Sequence, residues 1–562
     1  MTLRQRLTTS AFALLTATGL GALGASTAQV GAAQAADAHT GGTLKLVSAA
    51  AAGTLDPQIN YTAQFWQIFY VTNDGLVEFR KSAGSSSNDV VADLATEIPK
   101  PQDGGKTYVF TLRKGIKFST GKEVTPEDVV ASFQRLFKIS NPNAGSWYNV
   151  IAGSDACIKT PATCTLAGGV VADDAANTVT FHLTAPDSEF FYKLATPFGS
   201  ILPADTPSKD VGTVPTAATG PYMVTSYDPQ KSMVIKRNPY FKVWSKDAQP
   251  AGYVDEMDYT FGTRAEDAIT AIENGQQDWM FDTPPADRLG EMSSKYASQI
   301  HINPLFAIFY APMNVNIAPF NNKDARLAVN YALNRRSAVG IYGGPRLAVP
   351  NCQVLPPGFP GYQAYCPYTK NPGTKWSAPD MVKAKELMKK SGQIGQKVTV
   401  IADDQNVDPA LGTYLVSVLN ELGFKATSKV ISANIQFTYI QNTKNNVQIS
   451  ITQWYQDYPA ASDFLNVLLS CGAFHPGSDA SVNIAGYCSK PLDAMINKNL
   501  ITAVTDLPAA NKEWAKIDHA ATDGAPWVTM FTPKQLDFVS KNVKNFTFSD
   551  QFKMILSLAY VQ

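Results

Sequence analysis

A strand, a helix and a second strand follow one another in the second half of the chain, and this succession constrains the fold most. Residues 397–401 (KVTVI) are rich in β-branched side chains and predict a strand. A helix is predicted over residues 409–422, with its leucines on one side and Gly423 at its end. Residues 424–431 predict the next strand. A β-α-β unit joins parallel strands, so the sequence predicts an α/β fold with a partly parallel sheet.

The stretch VQISITQWYQDYP (447–459) combines a strand pattern with residues suited to binding. Apolar and polar residues alternate over 447–451, which predicts a strand with one buried face. The strand leads into Trp454, Tyr455 and Asp457. Because open α/β sheets bind ligands beyond the carboxyl ends of their strands, these side chains are candidates for a binding site. From spacing alone, the alternative is a strand exit with a packed tryptophan and a solvated aspartate.

Charge and length exclude several classes of protein. The chain has 562 residues, too many for one hydrophobic core, so several domains are expected. Lys plus Arg and Asp plus Glu number 47 each, which leaves no net field to attract nucleic acid or an anionic membrane. No apolar run of about 18 residues follows the amino-terminal region, so no transmembrane helix is predicted.

The amino terminus has the features of a signal peptide over residues 1–35. Two arginines precede an apolar run over residues 11–25, and Ala33-Gln-Ala35 has the small-x-small form of a cleavage site. We therefore expect an exported protein, extracellular, at the cell surface, or on the periplasmic side of the cytoplasmic membrane. Ser26 stands where a lipoprotein signal has cysteine, so no lipid anchor is predicted.

The six cysteines fall into three close pairs and agree with export. Fifteen pairings are possible, but short-range closure favours neighbours. The alternative, a metal site, lacks the usual C-x-x-C or H-x-x-x-H spacing. The candidate disulfides are Cys157 with Cys164, Cys352 with Cys366, and Cys471 with Cys488.

Residues 106–137 form the best-patterned local unit. Strands are predicted over 108–112 and 116–118, on either side of a Lys-Gly turn. Thr125 followed by Pro126 then predicts the start of a helix with one apolar face.

This unit and three later segments resemble the family 5 solute-binding proteins of bacterial ABC importers, which include dipeptide, oligopeptide and nickel binders. The resemblance covers nearly the whole mature chain, with the segments in the expected order. The matching segments are Leu112–Phe118 with Thr125–Val129, Thr219–Tyr222 with Arg237–Tyr240, Asn314–Asn316 with Ala325–Leu333, and Trp454–Pro459.

The resemblance implies an α/β, two-lobed periplasmic-binding-protein-like fold with a hinge and an extra subdomain inserted in lobe I. The chain is then expected to cross between the lobes near Asn303 and near Trp527. The implied boundaries are 36–77, 214–302 and 528–562 for the three parts of lobe I, 78–213 for the inserted subdomain, and 303–527 for lobe II.

The resemblance also implies a ligand-binding set. In peptide-binding members the aspartate of the W-x-x-D block binds the α-ammonium group of the peptide, and this role falls on Asp457. Neighbouring residues of that strand would lie along the ligand, and the segment after the Leu-Asp-Pro turn would form the opposite edge. The expected set is Asp457, Trp454, Tyr455, Gln456, Tyr61 and Thr62.

The function implied is capture of di- or oligopeptides and their delivery to an ABC permease in the membrane. A first alternative is the same scaffold binding another solute, such as an oligosaccharide stacked on aromatic rings. A second is a secreted hydrolase, although no G-x-S-x-G or H-E-x-x-H motif occurs. We expect a monomer that is not an enzyme, with no cofactor, no metal and no nucleic-acid partner.

Overall fold

The computed structural model describes residues 39–562, except Ser140, Pro142, Asn406 and Ala480. The predicted signal peptide (1–35) lies outside the described residues. The helices are α1 (Ala63–Thr72), α2 (Pro126–Lys138), α3 (Ala144–Trp147), α4 (Ser154–Lys159), α5 (Phe190–Leu194), α6 (Ala265–Glu273), α7 (Leu289–Lys295), α8 (Lys323–Ala332), α9 (Arg335–Tyr342), α10 (Met381–Ser391), α11 (Asp408–Glu421), α12 (Ala433–Gln441), α13 (Ser462–Leu469), α14 (Lys490–Thr505) and α15 (Leu507–Asp523).

The strands are short, apart from one of twelve residues near the carboxyl terminus. They are β1 (Thr43–Val47), β2 (Val77–Phe79), β3 (Val90–Ala92), β4 (Thr107–Thr111), β5 (Val170–Asp173), β6 (Thr178–His182), β7 (Tyr222–Asp228), β8 (Ser232–Arg237), β9 (Glu256–Thr260), β10 (Trp279–Met280), β11 (Ile300–Pro304), β12 (Ala307–Pro312), β13 (Ala348–Pro350), β14 (Lys397–Asp403), β15 (Lys425–Ile431), β16 (Ile449–Ser450), β17 (Thr452–Tyr455), β18 (Trp527–Phe538), β19 (Val543–Lys544), β20 (Phe548–Ser549), β21 (Lys553–Met554) and β22 (Tyr560–Val561).

Two main sheets have separate hydrophobic cores. The first has the order β10-β1-β9-β8-β7, with β1 parallel to both of its neighbours. The second has the order β11-β18-β12-β17, with β13 also pairing with β18. Leu44 and Tyr259 belong to the core of the first sheet, and Phe309 and Met530 to the core of the second.

The β-α-β unit predicted from the sequence is confirmed. Strands β14 and β15 are parallel and in register over seven residue pairs, and α11 connects them. The side chains of Leu411, Leu415 and Leu419 are fully buried, as expected for the apolar side of this helix. Strand β16 extends the unit as a third parallel strand, so the fold is α/β as predicted.

The segment between β2 and β7 contains its own antiparallel sheet, β4-β6-β5, beside α2. The predicted start of α2 is confirmed, because Thr125 and Asp128 form a reciprocal capping box. The predicted strand over 116–118 is wrong. A tight turn at Gly121 folds the chain back at once, which leaves a single bridge between Lys117 and Glu123.

The stretch 447–455 differs from the prediction of a strand with one buried face. It is divided into β16, which pairs with β14, and β17, which pairs with β12. Ser450 and Thr452 are as buried as Ile449 and Ile451, because the strand passes from one sheet to the other and is covered on both sides. Alternation in the sequence therefore did not mark an exposed face.

All three predicted cysteine pairs are disulfides in the structure: Cys157–Cys164, Cys352–Cys366 and Cys471–Cys488. The last of these closes the loop that follows α13. Among the described residues, no helix is long and apolar enough to cross a membrane.

The expected crossings between lobes fall on paired strands. Asn303 lies on β11 and pairs with Gln535 of β18, and Trp527 is the first residue of β18. A pair of antiparallel strands is a suitable hinge, because small changes along both can rotate the parts they join. The lobe boundaries themselves stay a prediction.

Candidate functional site

Strand β17 presents its last two side chains to opposite sides. Trp454 is 9% exposed and its ring packs in a hydrophobic core with Ile308 and Phe464, whereas Tyr455 is 45% exposed. The protein surrounding Tyr455 nevertheless raises the pKa of its phenol through burial. A side chain that is both accessible and desolvated lies in a recess, so Tyr455 can contact a ligand and the ring of Trp454 packs in the core.

Asp457 follows β17, and a hydrogen bond from its backbone N–H fixes its position. Its N–H donates to Oδ2 of Asp463 at 2.9 Å. The side chain of Asp457 keeps some accessible surface, and burial raises its pKa to about 7, although hydrogen bonds from Tyr61 and Asp463 oppose this shift. The carboxylate is therefore poorly solvated, and it forms no ion pair with a Lys, Arg or His of the described residues. This favours a cation supplied by a ligand.

Tyr61 comes from the opposite end of the chain, and its phenol lies close enough to the Asp457 carboxylate for each group to shift the pKa of the other. Its ring is 41% exposed and lies 5.5 Å from that of Trp66 and 6.2 Å from that of Trp147. Burial and the nearby Asp457 raise the pKa of the Tyr61 phenol, so it stays a hydrogen-bond donor. The structure thus brings together two residues that the sequence placed on facing edges.

The other two predicted residues make structural contacts. Thr62 is the N-cap of α1, and its hydroxyl accepts from the N–H of Phe65. Gln456 donates its backbone N–H to the carbonyl of Phe306 and its side-chain Nε2 to the carbonyl of Asp550, at 3.0 Å each. Gln456 therefore ties the binding strand to the carboxyl-terminal segment.

Two buried carboxylates complete the surroundings of Asp457, and the sequence analysis missed both. Asp463, in the first turn of α13, is fully buried, and its Oδ1 has no hydrogen-bond partner among the described residues. Burial and the charge of Asp457 raise the pKa of Asp463 well above its ordinary value. Asp463 belongs to no sequence motif. The only feature of the sequence that could have indicated it is its position six residues after Asp457.

Glu189 is the second missed carboxylate, and it links two distant segments. It accepts hydrogen bonds from the Tyr458 hydroxyl at 3.0 Å and from the Ser462 hydroxyl. Lys193 lies 3.6 Å from Glu189 and 2.7 Å from Asp187, so this lysine is already paired. No cation in this group remains available for Asp457.

A separate recess of about 480 Å³ is lined in part by Phe306 and Asp550, the two residues whose carbonyls accept from Gln456. It lies between β11, the 83–85 loop, the 357–358 turn and residues 546–550, and Asp457 does not line it. Within the described residues, no group of His, Cys, Asp and Glu side chains is arranged to hold a metal ion.

Comparisons with known proteins agree with this architecture. Residues 89–476 match the family described as "Bacterial extracellular solute-binding proteins, family 5 Middle". The probable D,D-dipeptide-binding periplasmic protein of Escherichia coli (strain K12) is 25% identical over 518 residues, covering 90% of this chain and 91% of the relative. The dipeptide-binding protein of the same organism is 26% identical over 442 residues, covering 75% and 76%.

Solved structures share the fold. The clavulanic acid biosynthesis oligopeptide binding protein 2 superposes with a TM-score of 0.83 at 21% identity, covering 93% of this chain and 96% of that one. The periplasmic binding protein DppA of Helicobacter pylori, in complex with the peptide STSA, gives 0.74 at 20% identity, covering 93% and 98%. The fold is therefore that of the two-lobed periplasmic binding proteins, as the sequence predicted.

Proposed function

Because the chain belongs to the family 5 bacterial extracellular solute-binding proteins, we propose that it captures peptides between its two lobes and delivers them to the permease of an ABC importer. Relatives of similar length are named for dipeptide binding, and one solved neighbour holds a peptide. The observation that carries the proposal is the poorly solvated Asp457 carboxylate, which lies beside a hydroxyl from the facing edge and has no cationic partner among the described residues.

Asp457 binds the α-ammonium group of the peptide. A charge-assisted hydrogen bond between an ammonium and a carboxylate is about twice as strong as a neutral one, and the poorly solvated surroundings of Asp457 strengthen it further. Tyr61 and Tyr455 provide accessible aromatic surface along the ligand. A ligand without a cation would leave Asp457 buried and unpaired, which explains how the site excludes it.

An oligosaccharide is less well supported. Sugar rings could stack on Tyr61 and Tyr455, but a neutral sugar would leave the poorly solvated Asp457 carboxylate without a cation. A hydrolase is likewise disfavoured, since members of the family are solute-binding proteins. We therefore propose a binding protein without catalytic activity, exported as its periplasmic relatives are, that acts as a monomer.

Calorimetric titration tests this function. Alanine peptides of two to five residues, each with a free or an acetylated amino terminus, are titrated into the mature protein. We expect free peptides to bind and acetylation to weaken binding by roughly 10- to 100-fold, the range for a lost charged hydrogen bond.

Asp457→Asn should cause a similar loss for free peptides. Asp174→Asn, which changes an exposed carboxylate in a distant turn, is the matched control and should bind like the wild type. Equal affinity for free and acetylated peptides would show that Asp457 is not the anchor. Binding of no peptide at all would refute the function.

A further inference from the structure

The recess of about 480 Å³ combines aromatic rings with a single carboxylate. Phe306, Phe546 and Phe548 contribute the rings, and of the described residues that line it, Asp550 alone carries an ionisable side chain. We call this cavity the Asp550 recess. Its volume lies within the range of about 300–1,000 Å³ for small-ligand sites, which are mostly apolar with a few polar groups. The Asp550 recess therefore has the size and the lining of a binding site.

The backbone of Asp550 is held from two directions. Its N–H donates to Oγ of Ser87 at 3.2 Å, and its carbonyl accepts from Nε2 of Gln456 at 3.0 Å. These two hydrogen bonds fix the turn between β20 and β21 from which the Asp550 side chain extends. A group held in this way loses little conformational freedom when a ligand binds.

The Asp550 carboxylate is poorly solvated and forms no ion pair with a Lys, Arg or His of the described residues. Burial raises the pKa of Asp550, the nearby amide of Asn88 opposes the shift, and no charged side chain contributes to it. Lys553, in the same hairpin, instead lies near Asp282 and Asp537, which favour its charged form. A partly buried carboxylate of this kind favours a ligand that brings a cation.

The aromatic rings of the recess favour the same kind of ligand. The ring of Phe546 stacks on His301 with 4.2 Å between centroids, and the ring of Phe306 meets that of Phe359 at 5.2 Å. These contacts orient both rings. The face of an aromatic ring attracts cations, and a planar guanidinium both stacks on rings and donates two parallel hydrogen bonds to a carboxylate. A neutral apolar ligand would cover Asp550 without pairing it.

The Asp550 recess adjoins the predicted peptide anchor. Gln456, the residue before Asp457, donates to the carbonyls of Phe306 and Asp550, and both of these residues line the recess. The lining also includes Asn303 and Pro304 of β11, the strand on which the chain is expected to cross between the lobes. A peptide held at Asp457 therefore has a second site within reach of its side chains.

We propose that the Asp550 recess binds a guanidinium group on an apolar stem, the chemistry of arginine. This inference rests on the proposed function. The first source of the group is an arginine side chain of the captured peptide, which makes the protein selective for arginine-containing peptides. The second source is a separate small guanidinium compound bound beside the peptide.

The test uses citrulline, which has nearly the shape of arginine but no charge, in calorimetric titrations of the full mature protein. In the first arm, alanine peptides of two to four residues carry arginine or citrulline at each position in turn. In the second arm, arginine or citrulline blocked at both termini is titrated into protein saturated with an alanine peptide. We expect arginine to bind about tenfold or more tightly than citrulline in at least one arm, and that arm identifies the source.

Asp550→Asn should abolish this preference, because it removes the charge and keeps the size of the side chain. Asp174→Asn, the exposed control, should retain the preference. If Asp550→Asn does not fold, Asp550→Ser replaces it, and the comparison of arginine with citrulline in the wild type needs no variant. Alanine peptides that bind while neither arm distinguishes arginine from citrulline, or a preference that survives Asp550→Asn, would overturn the inference and leave the proposed function intact. Binding of no peptide would refute both.

Discussion

Asp457 can bind an ammonium group only after it has lost its own proton, and this makes peptide binding depend on pH. Burial raises the pKa of Asp457 to about 7. Between pH 7 and the pKa of the peptide's own α-amino group, about 8, both charges are present and the affinity should be highest. Below pH 7 a proton competes with the peptide, so we expect the affinity to fall by up to about tenfold per pH unit. Calorimetric titrations from pH 5 to pH 8 measure this profile.

Asp463 supplies the control for the profile. Its hydrogen bond lowers the pKa of Asp457, so Asp463→Ala should move the midpoint to higher pH. Asp463→Asn keeps a side-chain oxygen for the Asp457 N–H and should move it less. A wild-type affinity that stays constant between pH 5 and pH 8 would contradict the assignment of Asp457 as the anchor.

At the level of elements, local signals predicted well wherever local contacts decide the structure. Helix α2 begins where Thr125 and Pro126 predict it, because capping is local: Thr125 bonds with Asp128, three positions later. Strands β14 and β15 were recognisable for the same reason. The prediction of one buried face was wrong for the stretch 447–455, because its burial depends on β12 and β14, which are far away in the sequence. An alternation of apolar and polar residues does not reveal that both faces of a strand are buried.

The contact between Glu189 and the turn after β17 predicts a role in holding the site closed. Glu189 precedes α5, and its two donors, Tyr458 and Ser462, are almost fully buried. Glu189→Ala would leave both hydroxyls without their acceptor, a cost of roughly 1–3 kcal/mol for each buried group. We expect peptide affinity to fall by about tenfold or more in calorimetric titrations.

Glu127→Ala, at an exposed glutamate of α2, is the matched control and should have no effect. Glu189→Gln keeps one acceptor oxygen, so its peptide affinity should lie between those of Glu189→Ala and Glu127→Ala. Unchanged peptide affinity in Glu189→Ala would show that this contact does not contribute to closure.

Over the whole molecule, the site combines segments that are hundreds of residues apart. Tyr61, Glu189 and Asp457 come from three separate parts of the chain, and the sequence identified only Tyr61 and Asp457, through a family resemblance. Glu189 belongs to no motif, and only the fold brings it beside Tyr458 and Ser462. The orientation of Trp454 was equally hidden, since it depends on the pairing of β17 with β12.

The contacts around Asp457 also predict how the whole molecule responds to a ligand. Tyr61 with Asp457, Glu189 with Tyr458, and Asp550 with Gln456 each join predicted lobe II to the rest of the chain. Water can replace these polar contacts when the lobes separate, but separation would also expose Tyr458, whose ring packs against Trp147 and Tyr192. A peptide held from both sides favours the closed state. Small-angle X-ray scattering should therefore show a smaller radius of gyration when a saturating peptide is added to the wild type. Asp457→Asn should show no change at the same peptide concentration, and a wild-type radius that is equal with and without bound peptide would contradict closure on the ligand.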